Sequence, residues 1–130
     1  VHMAGQSFTP RELRTIIARG SRATHPTASA SDIQITRSKT VKVHIALEEI
    51  TGTSITVTLT EINPVTGRIS GTVLASAALN AAGYVTLTIG PGVTTVSNVA
   101  LGAIAPRILR TTITGTITTY DVSIVAELID

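Results

Sequence analysis

The chain of 130 residues reads as all-β: one antiparallel β-sandwich or small barrel of six to eight short strands. Three observations lead there. From residue 33 onward, apolar residues alternate with polar ones at the period of two that a half-buried strand requires. The alternating runs are separated by turn residues, at Gly52, Asn63-Pro64, Gly67, Gly90-Pro91-Gly92 and Gly115. No helix-length stretch lies between strands, so there is no sign of parallel βαβ units.

Composition points the same way. Hydrophobic residues make up 43% and charged residues only 14%, against about a quarter charged in ordinary soluble domains. One Phe, two Tyr and no Trp leave an aliphatic core of Val, Ile, Leu and Ala. The 23 threonines suit a pleated, half-buried surface. Few charges, many threonines and a mean hydropathy of +0.39 predict a surface largely engaged with other protein subunits. We therefore expect a homo-oligomer, specifically a trimer.

Several function classes are disfavoured. A net charge of +2 is small, and neither a basic stripe nor stacking aromatics are present for nucleic acid. Without cysteine, neither disulfides nor thiolate-ligated metals can staple the fold. No apolar run approaches the roughly 18 residues of a membrane span. Val1-His2-Met3 is not the opening of a signal peptide, and Met3 reads as a natural start behind a cloning remnant.

Taken in order, residues 1–12 are expected to be an arm or leader and residues 13–130 the β-domain. Residues 10–19 carry two patterns. Thr9-Pro10-Arg11-Glu12 fits a capping box with proline at the first helical position, followed by Leu13, Ile16 and Ile17 and closed by Gly20. The all-β context instead favours a strand, and both readings stay open. Residues 23–31 read as a loop.

In Val41 to Glu48 one face carries Val41, Val43, Ile45 and Leu47, and the other Lys42, His44, Ala46 and Glu48. Thr51-Gly52-Thr53 is expected to turn the chain, so that Ile55, Val57 and Leu59 return beside the first run as a hairpin. Asn63-Pro64-Val65-Thr66-Gly67 is a second turn. A weaker strand follows over residues 72–78, then a clear one over 84–89 and a crossing loop over 93–105. Two last strands, 107–114 and 119–128, flank a turn near Gly115. The predicted core is Val43, Ile45, Val57, Leu59, Val85, Leu87, Ile113 and Ile124.

The chemistry-bearing residues do not assemble into a reaction centre. His25 and His44 lack partners at metal-ligand spacing, and His44 and Glu48 stand about four strand steps, roughly 13 Å, apart. Adjacent Glu48 and Glu49 would point to opposite faces of a strand. Asp121, Glu127 and Asp130 have no partner that sequence identifies. There is no Gly-x-Ser-x-Gly elbow and no phosphate loop after Gly90-Pro91-Gly92. Hence no catalytic, metal-binding or cofactor-binding residue and no enzymatic activity are expected. Candidate subunit contacts are Phe8, Arg11 and Arg14 on the N-terminal segment, since aromatics and arginine are enriched at binding hot spots. Arg107 and Arg110 are further candidates, either for an intersubunit ion pair or as edge charges that discourage wrong pairing.

The order of pieces resembles a group of small structural proteins of tailed bacteriophages. The likeness is carried by Val41-Lys42-Val43-His44-Ile45, Ile50-Thr51-Gly52-Thr53-Ser54, Asn63-Pro64-Val65-Thr66-Gly67, Leu74 to Ala78, Tyr84 to Pro91, Pro106-Arg107-Ile108-Leu109-Arg110 and the Ser123 to Ile129 tail. It spans residue 13 to the end and lies in order and texture, without a catalytic signature. Relatives often place an aromatic where this chain has Leu109. The resemblance implies a virion component made in the bacterial cytoplasm, with head decoration (cementing of the capsid shell) as the favoured role. Its partners would be the major capsid protein or another virion protein, and further copies of itself. Other readings are a tail, neck or connector component, or a free carbohydrate- or surface-binding β-domain, for which Phe8, Tyr84 and Tyr120 are the only aromatics available.

Overall fold

A computed structural model describes residues 11–35 and 37–129, and in it the protein is all-β. The strands are β1 (Arg11–Ile17), β2 (Ser21–Arg22), β3 (Ile33–Gln34), β4 (Thr40–Ile62), β5 (Ile69–Ala75), β6 (Gly83–Ile89), β7 (Ala100–Leu101) and β8 (Ile108–Ile129). One 3-10 turn, Ala28–Ser31, lies between β2 and β3. All eight belong to one sheet with the order β1-β8-β4-β6-β7. Strands β2 and β3 pair with β8, and β5 pairs with β4. Every pairing is antiparallel except β6 with β7, which is parallel.

Two long strands form the spine. β4 has 23 residues and β8 has 22, and they run antiparallel from Thr40 opposite Ile129 to Glu61 opposite Leu109. This corrects the expected hairpin between residues 41–48 and 53–60. The chain does not reverse at Gly52. It bends, and both halves pair with β8 on the same side. The expected turn at Gly115 is likewise a bend within β8. Sequence reads a bend and a turn alike, because both need glycine and interrupt the apolar run.

Bulges explain the interruption. The register shifts at Glu48, again on the β8 side between Thr119 and Ile117, and once more at Thr53. Each bulge sets one extra residue against the partner strand and increases local twist. Two extra residues in β4 cancel in phase, so its buried positions on both sides of the bend are odd-numbered, from Val41, Val43, Ile45 and Leu47 to Ile55, Val57 and Leu59, until further shifts against β5 bury Thr60 and Ile62. One extra residue in β8 does not cancel. Its buried positions change from Leu109, Thr111 and Ile113 to Tyr120, Val122, Ile124, Ala126 and Leu128.

At the bend the two backbones nearly touch. Gly52 (φ 136°) lies opposite Ile117, and Gly115 (φ 131°) lies opposite Ile55. A Cβ on Gly52 would fall 2.6 Å from Ile117 Cα and 2.7 Å from Thr116 O, and one on Gly115 would overlap the Ser54 carbonyl. Only glycine combines that φ with that approach.

Beyond the bend, each half of the spine is widened differently. β6 lines the first half of β4, from Val41 opposite Ile89 to Leu47 opposite Gly83, and β5 lines the second half. The inward residues of both halves belong to one buried cluster, which also takes in Ile17, Ile33, Ile35, Leu74 and Ala105. The sheet is not closed into a barrel. It folds over its own core. Of the predicted core, Val43, Ile45, Val57, Leu59, Leu87, Ile113 and Ile124 are buried, while Val85 is half-buried on the rim.

The two-way reading of residues 10–19 resolves to a strand from Arg11 on, because β8 offers a free edge from Ile124 to Ile129 to pair with. Residues 11 and 12, assigned above to the arm, are therefore part of the sheet. Phe8 and the rest of 1–10 lie outside the described residues.

Truncating Leu59 or Leu87 to alanine is expected to lower unfolding stability by about 2–5 kcal/mol. Gly115→Ala should destabilise by about 2 kcal/mol or more, since strained φ and backbone overlap act together. Denaturant melts read both. A loss under about 1 kcal/mol in all three would contradict the core and the bend as described.

Candidate interaction surfaces

Arg110 and Asp32 form the best-made ion pair of the described residues. Arg110 Nε lies 2.7 Å from Asp32 Oδ1 and its NH2 group 2.8 Å from Oδ2, a bidentate fork. Those hydrogen bonds raise the guanidinium above its already high ordinary value, so it is charged throughout the accessible pH range. The pair ties the segment after the 3-10 turn to β8. Nearby, Ser31 Oγ lies 2.6 Å from Ala28 O and 2.7 Å from Thr111 O, and it accepts from the Thr111 N–H at 3.2 Å. The sequence offered Arg110 as an intersubunit ion pair or an edge charge. Its partner is in the same chain, 78 residues away. Arg107, by contrast, is exposed, and its carbonyl accepts from the Ile35 N–H at 2.7 Å.

Two histidines also bridge elements, and in each case the partners fix the neutral tautomer. His25 Nε2 is 2.9 Å from the Gly115 carbonyl, which only accepts, so this nitrogen donates. Nδ1, 3.1 Å from Tyr120 Oη, then accepts from the phenol. The rings stand 5.6 Å apart at 58°. The loop after β2 is thus latched onto the bend of β8. Beside it, the Gly20 N–H donates to Asp121 Oδ1 at 3.1 Å, and Arg22 NH2 to the Ala18 carbonyl at 2.6 Å.

On the outer face of the sheet, His44 Nε2 donates to Glu127 Oε1 at 3.1 Å and Nδ1 lies 3.2 Å from Thr86 Oγ1. A hydroxyl, an imidazole and a carboxylate in that order are the parts of a nucleophilic relay. Here they lie across three neighbouring strands. The amides of β4 around them are engaged in ladders on both sides, with β6 and with β8, so the strand has none to offer a developing oxyanion. The three side chains tie β6, β4 and β8 together. Glu48 and Glu49 are both exposed beside the bulge, and no group of three His, Asp or Glu among the described residues could hold a metal.

Among the described residues, exposed apolar side chains fall into three groups. Leu13 (70% exposed) and Tyr84 lie on the outer face, Leu13 opposite Glu127 on β8 and Tyr84 opposite Ala46 on β4. Val96, Val99 and Ile104 surround β7. Val65, 89% exposed, and Ile69 share the tip between β4 and β5. That tip is rigidly built. Asn63 Oδ1 accepts from the N–H groups of Val65 and Thr66 at 2.8 and 3.2 Å. Asn63 N–H donates to Arg68 O and Gly67 N–H to Asn63 O, both at 2.8 Å. Thr66 Oγ1 accepts from the Arg68 N–H at 3.3 Å, and Gly67 takes φ 73°. Sequence identified the turn but not its apolar apex, although a valine between Pro64 and Thr66 was the available signal.

Of the candidate contacts on the N-terminal side, Arg11 and Arg14 sit in β1 opposite Ile129 and Ala126. Arg14 Nε is 3.1 Å from Glu12 Oε1. They are brought together with Leu13 on one sheet edge, far along the fold from Arg107 and Arg110 at the start of β8.

No family model matches the chain, and no curated protein matches it. Among solved structures, a subunit of Bacillus endospore appendages, described as a novel family of disulfide-linked pili, aligns over 99% of this chain and 96% of that chain. The identity is 14% and the TM-score 0.41.

Burial raises the Tyr120 phenol above its ordinary value, partly opposed by the charge of Arg22. A raised folded-state value means that this contribution to stability is complete below the unfolded value, near pH 10, and is lost as pH rises through the folded one. In a Tyr84→Phe variant, whose only tyrosine is Tyr120, tyrosinate absorbance should therefore appear above about pH 10 in the folded protein and shift down on denaturation. His25→Ala leaves the buried hydroxyl without its acceptor and should cost about 1–3 kcal/mol, more than Tyr120→Phe. Calorimetry compares them, and equal melts for all three proteins would rule out the latch.

Proposed function

We propose that the chain is a non-enzymatic structural protein of a tailed-phage virion, acting as a decoration protein that binds the assembled capsid shell and cements it. The observation that carries this reading is the display of large apolar side chains on ordered backbone. Val65 and Ile69 project from a hairpin tip closed by five hydrogen bonds. Apolar groups held rigidly in water lose little entropy when a partner covers them, so such a tip is suited to contact. The resemblance of the chain's motif order to small phage structural proteins supplies the setting.

The energetics of cementing need no reaction. A protein that binds only the assembled shell stabilises it by mass action, by about 2.7 kcal/mol per site at a free concentration one hundred times the dissociation constant. What matters is contact area and the stiffness of the body that presents it. The β4–β8 spine supplies stiffness, and the three exposed apolar groups supply area.

Heads assembled from the major capsid protein of the same genome should bind the protein in sedimentation assays, and bound heads should release DNA at a higher temperature than bare ones. Val65→Asp should leave the domain's melting unchanged and weaken head binding roughly tenfold or more, as loss of a buried apolar anchor does. Protein that stays in the supernatant, or that electron microscopy locates on tails, would overturn the decoration role.

A further inference from the structure

We propose that β1 is a self-pairing edge, through which two copies of the chain join about a two-fold axis at Leu13 and continue the sheet from one subunit into the next. β1 ends the strand order. It is hydrogen-bonded to β8 along one side, and among the described residues no strand lies along the other. Residues 11–15 hold an unbroken register with β8 before the bulge ahead of Ile17. Free edges of this kind are templates for another strand, and proteins that avoid pairing block them with charge, proline or bulges.

The charges on this edge are of both signs, and they select a register in place of blocking one. Glu12 and Arg14 lie on one face of β1, with Leu13 between them on the other. In an antiparallel pair of identical strands, only residues of one parity direct their N–H and C=O groups outward. The two-fold axis must therefore pass through a residue. Centred on Glu12, the pair sets that carboxylate against itself. Centred on Arg14, it sets guanidinium against guanidinium. Centred on Leu13, it sets Glu12 against Arg14 of the second copy twice over, stacks the two exposed Leu13 side chains and uses all of residues 11–15.

Directly opposed opposite charges and apolar pairs favour sheet pairing, while like charges oppose it. In the isolated chain Arg14 Nε is 3.1 Å from Glu12 Oε1, with both side chains exposed. The pair exchanges this contact for its equivalent across the axis without burying an unpaired charge. An isologous edge of this type closes after two copies. It thus differs from the trimer expected from composition, and it stands apart from capsid binding: a dimer that ignores heads fails only the decoration reading.

The full chain contains no cysteine, so introduced thiols report the register directly. Residues facing each other across such a pair have Cα atoms about 4.5–5.5 Å apart, within the range a disulfide spans. Under mild oxidation Leu13→Cys should form a disulfide-linked dimer, and Thr15→Cys, which faces residue 11, should not. In sedimentation, the parent should be dimeric at micromolar concentration. Glu12→Arg should weaken it roughly tenfold or more, because the substitution is felt twice across the axis. The double exchange Glu12→Arg with Arg14→Glu should restore pairing, with thermal melts confirming that each variant is folded. A monomer or trimer by mass, equal cross-linking at both positions, or failure of the double exchange to rescue would overturn the proposal. The last would leave a foreign strand or the chain's own residues 1–10 as the edge's occupant.

Discussion

The fold depends on two backbones approaching more closely than side chains allow. Where β4 and β8 bend together, Gly52 and Gly115 each face the main chain of the other strand at a φ that L-residues avoid. Without that contact the two long strands could not bend together at this point. With it, the inward positions of both halves turn toward each other and share one aliphatic core. The His25 bridge from the loop after β2 to the Gly115 carbonyl and Tyr120 fastens an outer segment to the same point. Bulges at the bend relieve the ladder, and they let Glu48 and Glu49 both reach solvent.

Much of this was legible in the sequence, for reasons that particular residues make clear. Alternation in Val41 to Leu47, in Ile55 to Leu59 and in Tyr84 to Ile89 marks a half-buried strand wherever it occurs, and the all-β reading and most of the core follow from it. Connectivity was not legible. A glycine flanked by threonines looks the same whether the chain reverses or bends, because the difference lies in which strand waits alongside. The phase change between Ile113 and Tyr120 was present in the sequence, but a bulge and a new strand produce the same offset. The contact residues fared similarly. Arg110 stood out by its charge, yet its partner Asp32 is remote in sequence. Leu13 was hidden because an apolar residue is ordinarily taken as core, whereas Val65 already stood in a recognisable turn and was overlooked.

The distribution of chemistry around the molecule has one theme. The polar side chains that might have formed a site serve as fasteners between elements: Asp32 with Arg110, His44 with Glu127 and Thr86, Ser31 with the Thr111 backbone. Each fastener spans elements distant in the chain, which suits a body that must hold shape under load from its neighbours. What remains facing outward is threonine hydroxyl and aliphatic carbon with scattered charges such as Glu48, Glu49, Glu61, Arg68 and Arg107.

β8 follows in sequence every strand it holds together, and it lies inside the sheet, between β1 and β4. During synthesis the first hundred residues therefore leave the ribosome without the strand that β1, β2, β3 and both halves of β4 all require. Their apolar faces and open ladders wait, in an order of events that favours slow folding and engagement of chaperones. A premature stop within β8 would remove no peripheral element. It would leave β1, β2 and β3 with no pairing partner and open one whole side of β4.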